Sequence, residues 1–276
     1  MSIKHLSVGK LLNYHVVMTR PLALITGASS GIGAAYARLL ADDMDFVLVA
    51  RRADRLEDLA NELRKAGAAV EVLLADLATR GGIAAVTERL SAGDVRHLIS
   101  NAGVGGYAPL IDVDPARIDD LLTLNVEAHV QLVRAALPGM LAADDGTIVT
   151  VASLLAFSAG QAGPRPPRRT LYAAAKAALV VFTRTLGHEL ADTGIRTQVV
   201  CPGPVATEFH QGIGQTVPVV MTAEDVARAS LVGLRLGETI CVPGLEDQSA
   251  ALDALLAAES GVLSGGRRSD LASRYQ

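Results

Sequence analysis

Tyr172 and Lys176 stand four residues apart in the segment 172–176, so on a helix they share one face. The chain holds five tyrosines and four lysines against 21 arginines. Random placement would give such a pair roughly 0.07 times, so the spacing carries information. A phenol with a pKa near ~10 is a poor base at neutral pH. A neighbouring ammonium favours the phenolate and fits the phenol to exchange a proton with a substrate oxygen. Ser153 closes an apolar run at 147–153 and can hold that oxygen by a hydrogen bond.

A second constellation reads Thr26-Gly27-Ala28-Ser29-Ser30-Gly31-Ile32-Gly33, between an apolar run at 22–26 and a helical pattern at 31–40. Gly27 permits a tight turn, Gly31 lets the backbone approach a pyrophosphate, and Gly33 lets helix pack on strand. Ser29, Ser30 and Ile32 fall within the same turn, whose N–H groups open a helix and favour negative charge. A site for NAD places an acidic residue at the end of the second strand. Arg51 and Arg52 stand there instead. A carboxylate would repel a 2′-phosphate, whereas a guanidinium pairs with it in a charge-assisted fork. The predicted cofactor is therefore NADP(H). Asp76, with Leu77 beside it at the end of the third apolar run, can accept a hydrogen bond from an adenine amino group.

These residues need a scaffold that gathers strand ends. Apolar runs at 22–26, 45–50, 69–76, 97–103, 147–153, 195–203 and 238–244 alternate with helical patterns near 31–40, 54–66, 80–91, 115–142, 171–191 and 222–236. Strands apolar on both faces and separated by helices imply an α/β fold. The expectation is a Rossmann-like, doubly wound, seven-stranded parallel sheet with helices on both faces, in a single domain. Its ligand crevice lies at the carboxyl ends of the strands. The domain is read as 20–245, after an N-terminal extension at 1–19 and before a C-terminal tail at 246–276. The irregular stretches 158–170 and 204–221 fall beside the crevice. The second is read as a substrate loop in which Gly212 and Gly214 allow a lid to order on binding.

Composition narrows the function further. A net charge of −4 over 276 residues, with a pI near 5.9, gives no pull toward nucleic acid. No apolar stretch reaches the ~18 residues of a membrane span. Cys201 and Cys241 lie in apolar runs without ligand-type neighbours and read as buried thiols of a reducing compartment, which points to the cytoplasm. The six histidines are scattered, and no metal site is expected.

The glycine turn, Asn101-Ala102-Gly103, Asn125 in Leu-Asn-Val, Ser153, Tyr172-Ala-Ala-Ala-Lys176 and the run Pro202-Gly-Pro-Val-Ala-Thr207 resemble, in order and over about 20–245, the motif series of the short-chain dehydrogenase/reductase family. The resemblance implies that Tyr172 exchanges a proton with the substrate oxygen and that Lys176 lowers its pKa and holds the nicotinamide ribose. It implies that Ser153 positions the carbonyl and that Asn125 supports a water-mediated proton relay. Asn101, Ala102 and Gly103 would line the adenosine ribose. Pro202, Gly203, Val205 and Thr207 would embrace the carboxamide and phosphates. Arg51 and Arg52 resemble the basic pair of NADP-preferring members. A homodimer or homotetramer through the helices at 115–142 and 171–191 is also implied.

Two departures stand out. Ser153 precedes Tyr172 by nineteen residues, farther than the family's usual spacing, and the surplus coincides with Gly-Pro-Arg-Pro-Pro-Arg-Arg at 163–169. That insertion is either a solvated loop or a basic lure for an anionic substrate, and it makes Ser158 a positional rival of Ser153. The other departure is Ser100 where the family often has asparagine, expected to be harmless. The expected reaction interconverts a ketone and a secondary alcohol in a mostly apolar pocket walled by Val104, Tyr107, Leu154, Leu155, Phe157 and Phe209. One alternative is a 3-oxoacyl-thioester reductase whose Arg165, Arg168 and Arg169 grip a phosphate. An alternative of another class is a non-catalytic NADPH-binding sensor or scaffold.

Overall fold

Seven strands form one parallel sheet: β1 (Leu22–Thr26), β2 (Asp45–Ala50), β3 (Val70–Leu74), β4 (Val95–Ser100), β5 (Gly146–Val151), β6 (Ile195–Val200) and β7 (Ile240–Cys241). Their order across the sheet is β3-β2-β1-β4-β5-β6-β7. The computed structural model describes residues 20–106, 108–159, 169–210, 221–267 and 269–276. The extension at 1–19, Tyr107, the insertion except Arg169, and Gly212 and Gly214 lie outside the described residues.

Alternation along the central strands explains the layers. Ala23, Ile25, Phe46 and Leu48 turn to one face, where they pack with α1 (Gly31–Leu39), α2 (Ala53–Lys65) and α7 (Ala223–Arg235). Leu22, Leu24, Val47 and Val49 turn to the other, against α3 (Arg80–Leu90) and, after α4 (Pro115–Leu122), α5 (Ala128–Ala143) and α6 (Thr170–Glu189). Both faces are covered, as the doubly apolar strands require. β1 pairs with β2 on one side and β4 on the other, so the winding reverses there and opens a crevice at the strand ends.

The structure adds to the sequence reading at three places. The helical pattern at 115–142 runs unbroken from Asp114, which caps α4 by accepting from the Ala116 N–H at 2.9 Å, but a π turn over Thr123–Glu127 interrupts its α pattern between α4 and α5. β7 covers two residues rather than the run 238–244. The Gln248 side chain takes the hydrogen bonds that a further strand would make, accepting from the Val242 N–H at 2.6 Å and donating to the Ile240 carbonyl at 2.8 Å. The tail carries α8 (Gln248–Gly265), tethered where the Arg184 guanidinium donates to Glu259 at 2.7 and 3.0 Å. Among the described residues no helix is long and apolar enough to cross a membrane.

Candidate active site

A cleft of about 830 Å³ opens at the carboxyl ends of the strands, on both sides of the β1–β4 junction. Thr26 fastens that junction. Its hydroxyl oxygen accepts from the Asn101 and Ala102 N–H groups at 2.9 and 3.0 Å, while the Asn101 amide donates back to the Thr26 carbonyl at 2.9 Å. The strand ends are thereby locked side by side, and Asn101, Ala102 and Gly103 form the middle of the cleft wall.

At one end lies the glycine turn, with Gly27, Ser29, Ser30, Gly31 and Ile32 facing the cleft. Gly27 and Gly31 hold φ values of +66° and +57°, a region costly for any residue with a Cβ. No acidic residue occupies the first turn of α1, and no side chain caps its N–H groups. That end of the helix is left for an external anion. Gly33 does not line the cleft; a Cβ there would come within 2.7 Å of both the Gly27 carbonyl oxygen and the Asn101 amide, so it serves the packing of helix on strand.

Arg51 and Arg52 project from the end of β2 into the same space, with Asp76 and Leu77 beyond them. The Arg52 guanidinium donates to Ser29 Oγ at 3.0 and 3.2 Å and to Ser30 Oγ at 2.7 Å. It also donates to the Glu208 carboxylate at 2.8 Å, which Arg55 reaches from the other side at 2.7 Å. Arg52 and then Arg55 hold the Glu208 carboxyl below its ordinary range. Arg51 is 64% exposed and lies 3.7 Å from Asp76. Asp76 itself accepts from the Ala78 N–H at 3.0 Å, which turns the chain after β3. The open helix start and the two guanidiniums fit the pyrophosphate and ribose phosphate of a dinucleotide.

At the other end, Tyr172 and Lys176 reach the cleft from the first two turns of α6, and Ser153 from the end of β5. Lys176 is buried, with Nζ 5.8 Å from the centre of the Tyr172 ring and donating to the Val151 carbonyl at 2.9 Å. Burial lowers its ammonium to about 8. Ser153 Oγ faces the cleft while accepting from the Leu155 N–H at 3.2 Å. Ser158 donates its hydroxyl to the Leu155 carbonyl at 2.7 Å and lies outside the cleft lining. Beneath this floor, buried His129 donates from Nε2 to the Ala102 carbonyl at 3.0 Å, so its Nδ1 accepts from Ser100 at 2.8 Å. Burial, and next the charge of Lys176, lower its pKa to about 3, so the imidazole stays neutral. Among the described residues no group of three or more His, Cys, Asp or Glu is placed to hold a metal.

A family model described as short chain dehydrogenase matches residues 21–218. The chain belongs to the short-chain dehydrogenase family. It is 32% identical over 243 residues to cis-4-hydroxycyclohexanecarboxylate dehydrogenase of Sinomonas cyclohexanicum, covering 87% of this chain and 95% of that protein. A short-chain dehydrogenase from Sphingobium yanoikuyae in complex with NADPH superposes with a TM-score of 0.86 at 37% identity, over 93% of this chain and all of that one. The bulky-bulky ketone specific alcohol dehydrogenase from Comamonas testosteroni superposes with a TM-score of 0.83 at 32% identity, over 92% of this chain and 98% of that one.

Within this dehydrogenase some expected residues sit elsewhere. The side chain of Asn125 does not enter the cleft: it is buried, accepting from the Val104 N–H at 2.9 Å and donating to the Val104 carbonyl at 2.8 Å. One amide N–H and one oxygen lone pair are thus used on the cleft wall, and the second of each remains for a further partner. Phe157 is absent from the lining and packs on the core around Ala152 and Leu179. Val104, Leu154, Leu155 and Phe209 do line the cleft, as do Pro202, Gly203, Val205 and Thr207. Missed by the sequence reading were the stitching role of Thr26, the partnership of Ser100 with His129, and Glu208. A Glu-Arg pairing 156 residues apart leaves no local trace. The histidine partner gives the Ser100 departure a physical reason.

Proposed function

We propose that this short-chain dehydrogenase uses NADP(H) to interconvert a ketone and a secondary alcohol on a mostly apolar substrate. The observation that carries the reading is the pairing of two ends of one cleft. Guanidiniums with no carboxylate at the end of β2 meet the glycine turn at one end, and Tyr172, Lys176 and Ser153 converge at the other. The NADPH complex of the Sphingobium yanoikuyae relative supports the cofactor, and the Comamonas testosteroni enzyme supports ketone chemistry.

When bound, the cofactor supplies or takes up the hydride. Gly27, Ser29, Ser30, Gly31 and Ile32 receive the phosphates, Arg51 and Arg52 the 2′-phosphate. Asp76 and Leu77 flank the adenine, and Asn101, Ala102 and Gly103 the adenosine ribose. Pro202, Gly203, Val205 and Thr207 border the nicotinamide end, where Lys176 also holds the ribose. Ser153 donates to the carbonyl oxygen and fixes its position. The Tyr172 hydroxyl gives that oxygen a proton in reduction and takes it back in oxidation. The Lys176 ammonium favours the phenolate left behind. Asn125 fixes the Val104 backbone, and so the wall beside the substrate. Val104, Leu154, Leu155 and Phe209 give the substrate end its apolar surface. Exposed Val130 and Leu141 on α5 and Val181 on α6 support assembly of two or four copies through those helices.

Turnover of a ketone panel with NADPH and with NADH, in the native protein and in Tyr172→Phe, tests the reading. NADPH should be favoured, and Tyr172→Phe should bind cofactor but lose at least ~100-fold in kcat. If both proteins bind cofactor and neither turns over, the chain is a dinucleotide sensor instead.

A further inference from the structure

Glu208 is the acidic side chain on which Arg52 and Arg55 converge, and the arrangement has the chemistry of an anion site already filled. Its two carboxylate oxygens take the guanidinium donors at 2.7 and 2.8 Å in the charge-assisted manner by which arginines take phosphate. Arg52 is turned at the same time toward Ser29 and Ser30, the hydroxyls of the glycine turn. The carboxylate therefore lies where the cofactor's own charge is expected.

Glu208 opens a short 3-10 turn, Glu208–His210, between the catalytic end and the cofactor end. On one side of it, the Thr207 methyl lies against Gly31, so close that a Cβ at Gly31 would come within 3.1 Å of it. On the other, the Phe209 ring leans on the Tyr172 ring, with centroids 6.2 Å apart and planes tilted by 54°. The two ion pairs of Glu208 thus hold a segment that spans the cleft from the phosphate end to the catalytic phenol.

We propose that Glu208 is an internal stand-in for the 2′-phosphate of the cofactor, and that a phosphorylated dinucleotide displaces it and frees the 207–209 segment from Tyr172. The inference rests on the NADP(H) reading above. A phosphate dianion and a carboxylate on one guanidinium repel each other, so the arriving phosphate excludes Glu208 from Arg52. An unphosphorylated dinucleotide brings no such charge and leaves the latch closed. Recognition of the extra phosphate at Arg52 and opening of the substrate end beside Phe209 then become one event, and Arg55 is released to join the phosphate site.

Glu208→Gln keeps the shape and removes the charge at an exposed position, and Glu208→Ala removes both. Calorimetric titration of each full-length variant with NADP+ and with NAD+ reads the competition directly. The expected result is a Kd for NADP+ about fivefold lower in both variants, the scale of one exposed charge pair, with the Kd for NAD+ unchanged within about twofold. Hydrogen exchange of 206–210 in the native protein should rise with NADP+ and not with NAD+. Native protein that favours NADP+, with variants that bind it no tighter or that gain equally for NAD+, overturns the latch alone. Native protein that binds NAD+ as well as NADP+ ends both the cofactor reading and the latch.

Discussion

Lys176 lies under the cleft at 3% exposure, and burial lowers its pKa from 10.5 to about 8. Such a drop means that the folded state holds the charged amine less well than the unfolded chain does. At ~1.36 kcal/mol for each tenfold change in proton affinity, keeping the ammonium buried costs roughly 3 kcal/mol of stability below pH 8. Lys176→Met removes that cost and fills the same space with an apolar chain. It also orphans the Val151 carbonyl, now bonded to Nζ at 2.9 Å, which returns about 1 kcal/mol of the gain. The net expectation at pH 7 is a variant about 2 kcal/mol more stable, melting roughly 4–6 °C higher, with its turnover gone.

The pH dependence separates this account from a general packing effect. Below about 8 both states carry the proton and the folded state bears the full cost. Between about 8 and 10.5 the folded state releases its proton first, so the unfolded state binds more protons and native stability rises with pH. Thermal and urea denaturation of both proteins at pH 7, 9 and 10 should show the gap closing as the native protein gains. A Lys176→Met protein less stable at pH 7, or a gap that stays constant to pH 10, would refute the reasoning. The same titration sets the alkaline limb of activity: kcat/KM for the cofactor, which reports the free enzyme, should fall as pH rises through about 8.

Ser153→Ala should lower kcat by roughly 100-fold, whereas Ser158→Ala should leave it within about threefold, and steady-state assays with one ketone decide between them. His129→Phe should cost about 2 kcal/mol at pH 7 in urea denaturation, because the Ser100 hydroxyl and the Ala102 carbonyl lose a buried partner. Since the folded pKa of His129 is about 3, native stability should decline by up to ~1.36 kcal/mol per pH unit below 6.5, and the variant should lose that part of the slope. Arg169 lines the cleft, so Arg169→Glu should raise KM for an anionic 3-oxoacyl thioester several-fold and leave KM for a small neutral ketone unchanged.

What was legible in the sequence was local in the chain. β1, the glycine turn and α1 follow one another within 22–39, and Tyr172 and Lys176 need only a helix to meet. The parallel sheet follows from strands with no polar face. Contacts between distant segments were illegible, because side chains supply them. The end of β7 depends on Gln248 turning back on the strand, and nothing in the run 238–244 announces it. Asn125 is at the expected place in the chain, yet its two bonds to the Val104 backbone, 21 residues away, leave no mark on the local sequence. Phe157 reads as pocket wall from its hydrophobicity alone, and the 3-10 turn Leu154–Phe157 carries it to the core around Leu179.

Lys176 helps to explain the neutrality of His129. Two basic groups lie under one floor, and two positive charges there would raise the cost of burial on both. His129 is held neutral near 3 by burial and by the charge of Lys176, and it spends its one N–H on the Ala102 carbonyl. Ser100 completes the arrangement because its hydroxyl donates to the remaining imidazole nitrogen, which only a neutral ring leaves free. From about pH 3 to about pH 8 this pair therefore carries a single charge, on the residue beside Tyr172. Ser100 thus donates to the nitrogen that the neutral His129 leaves free, while the positive charge lies on Lys176.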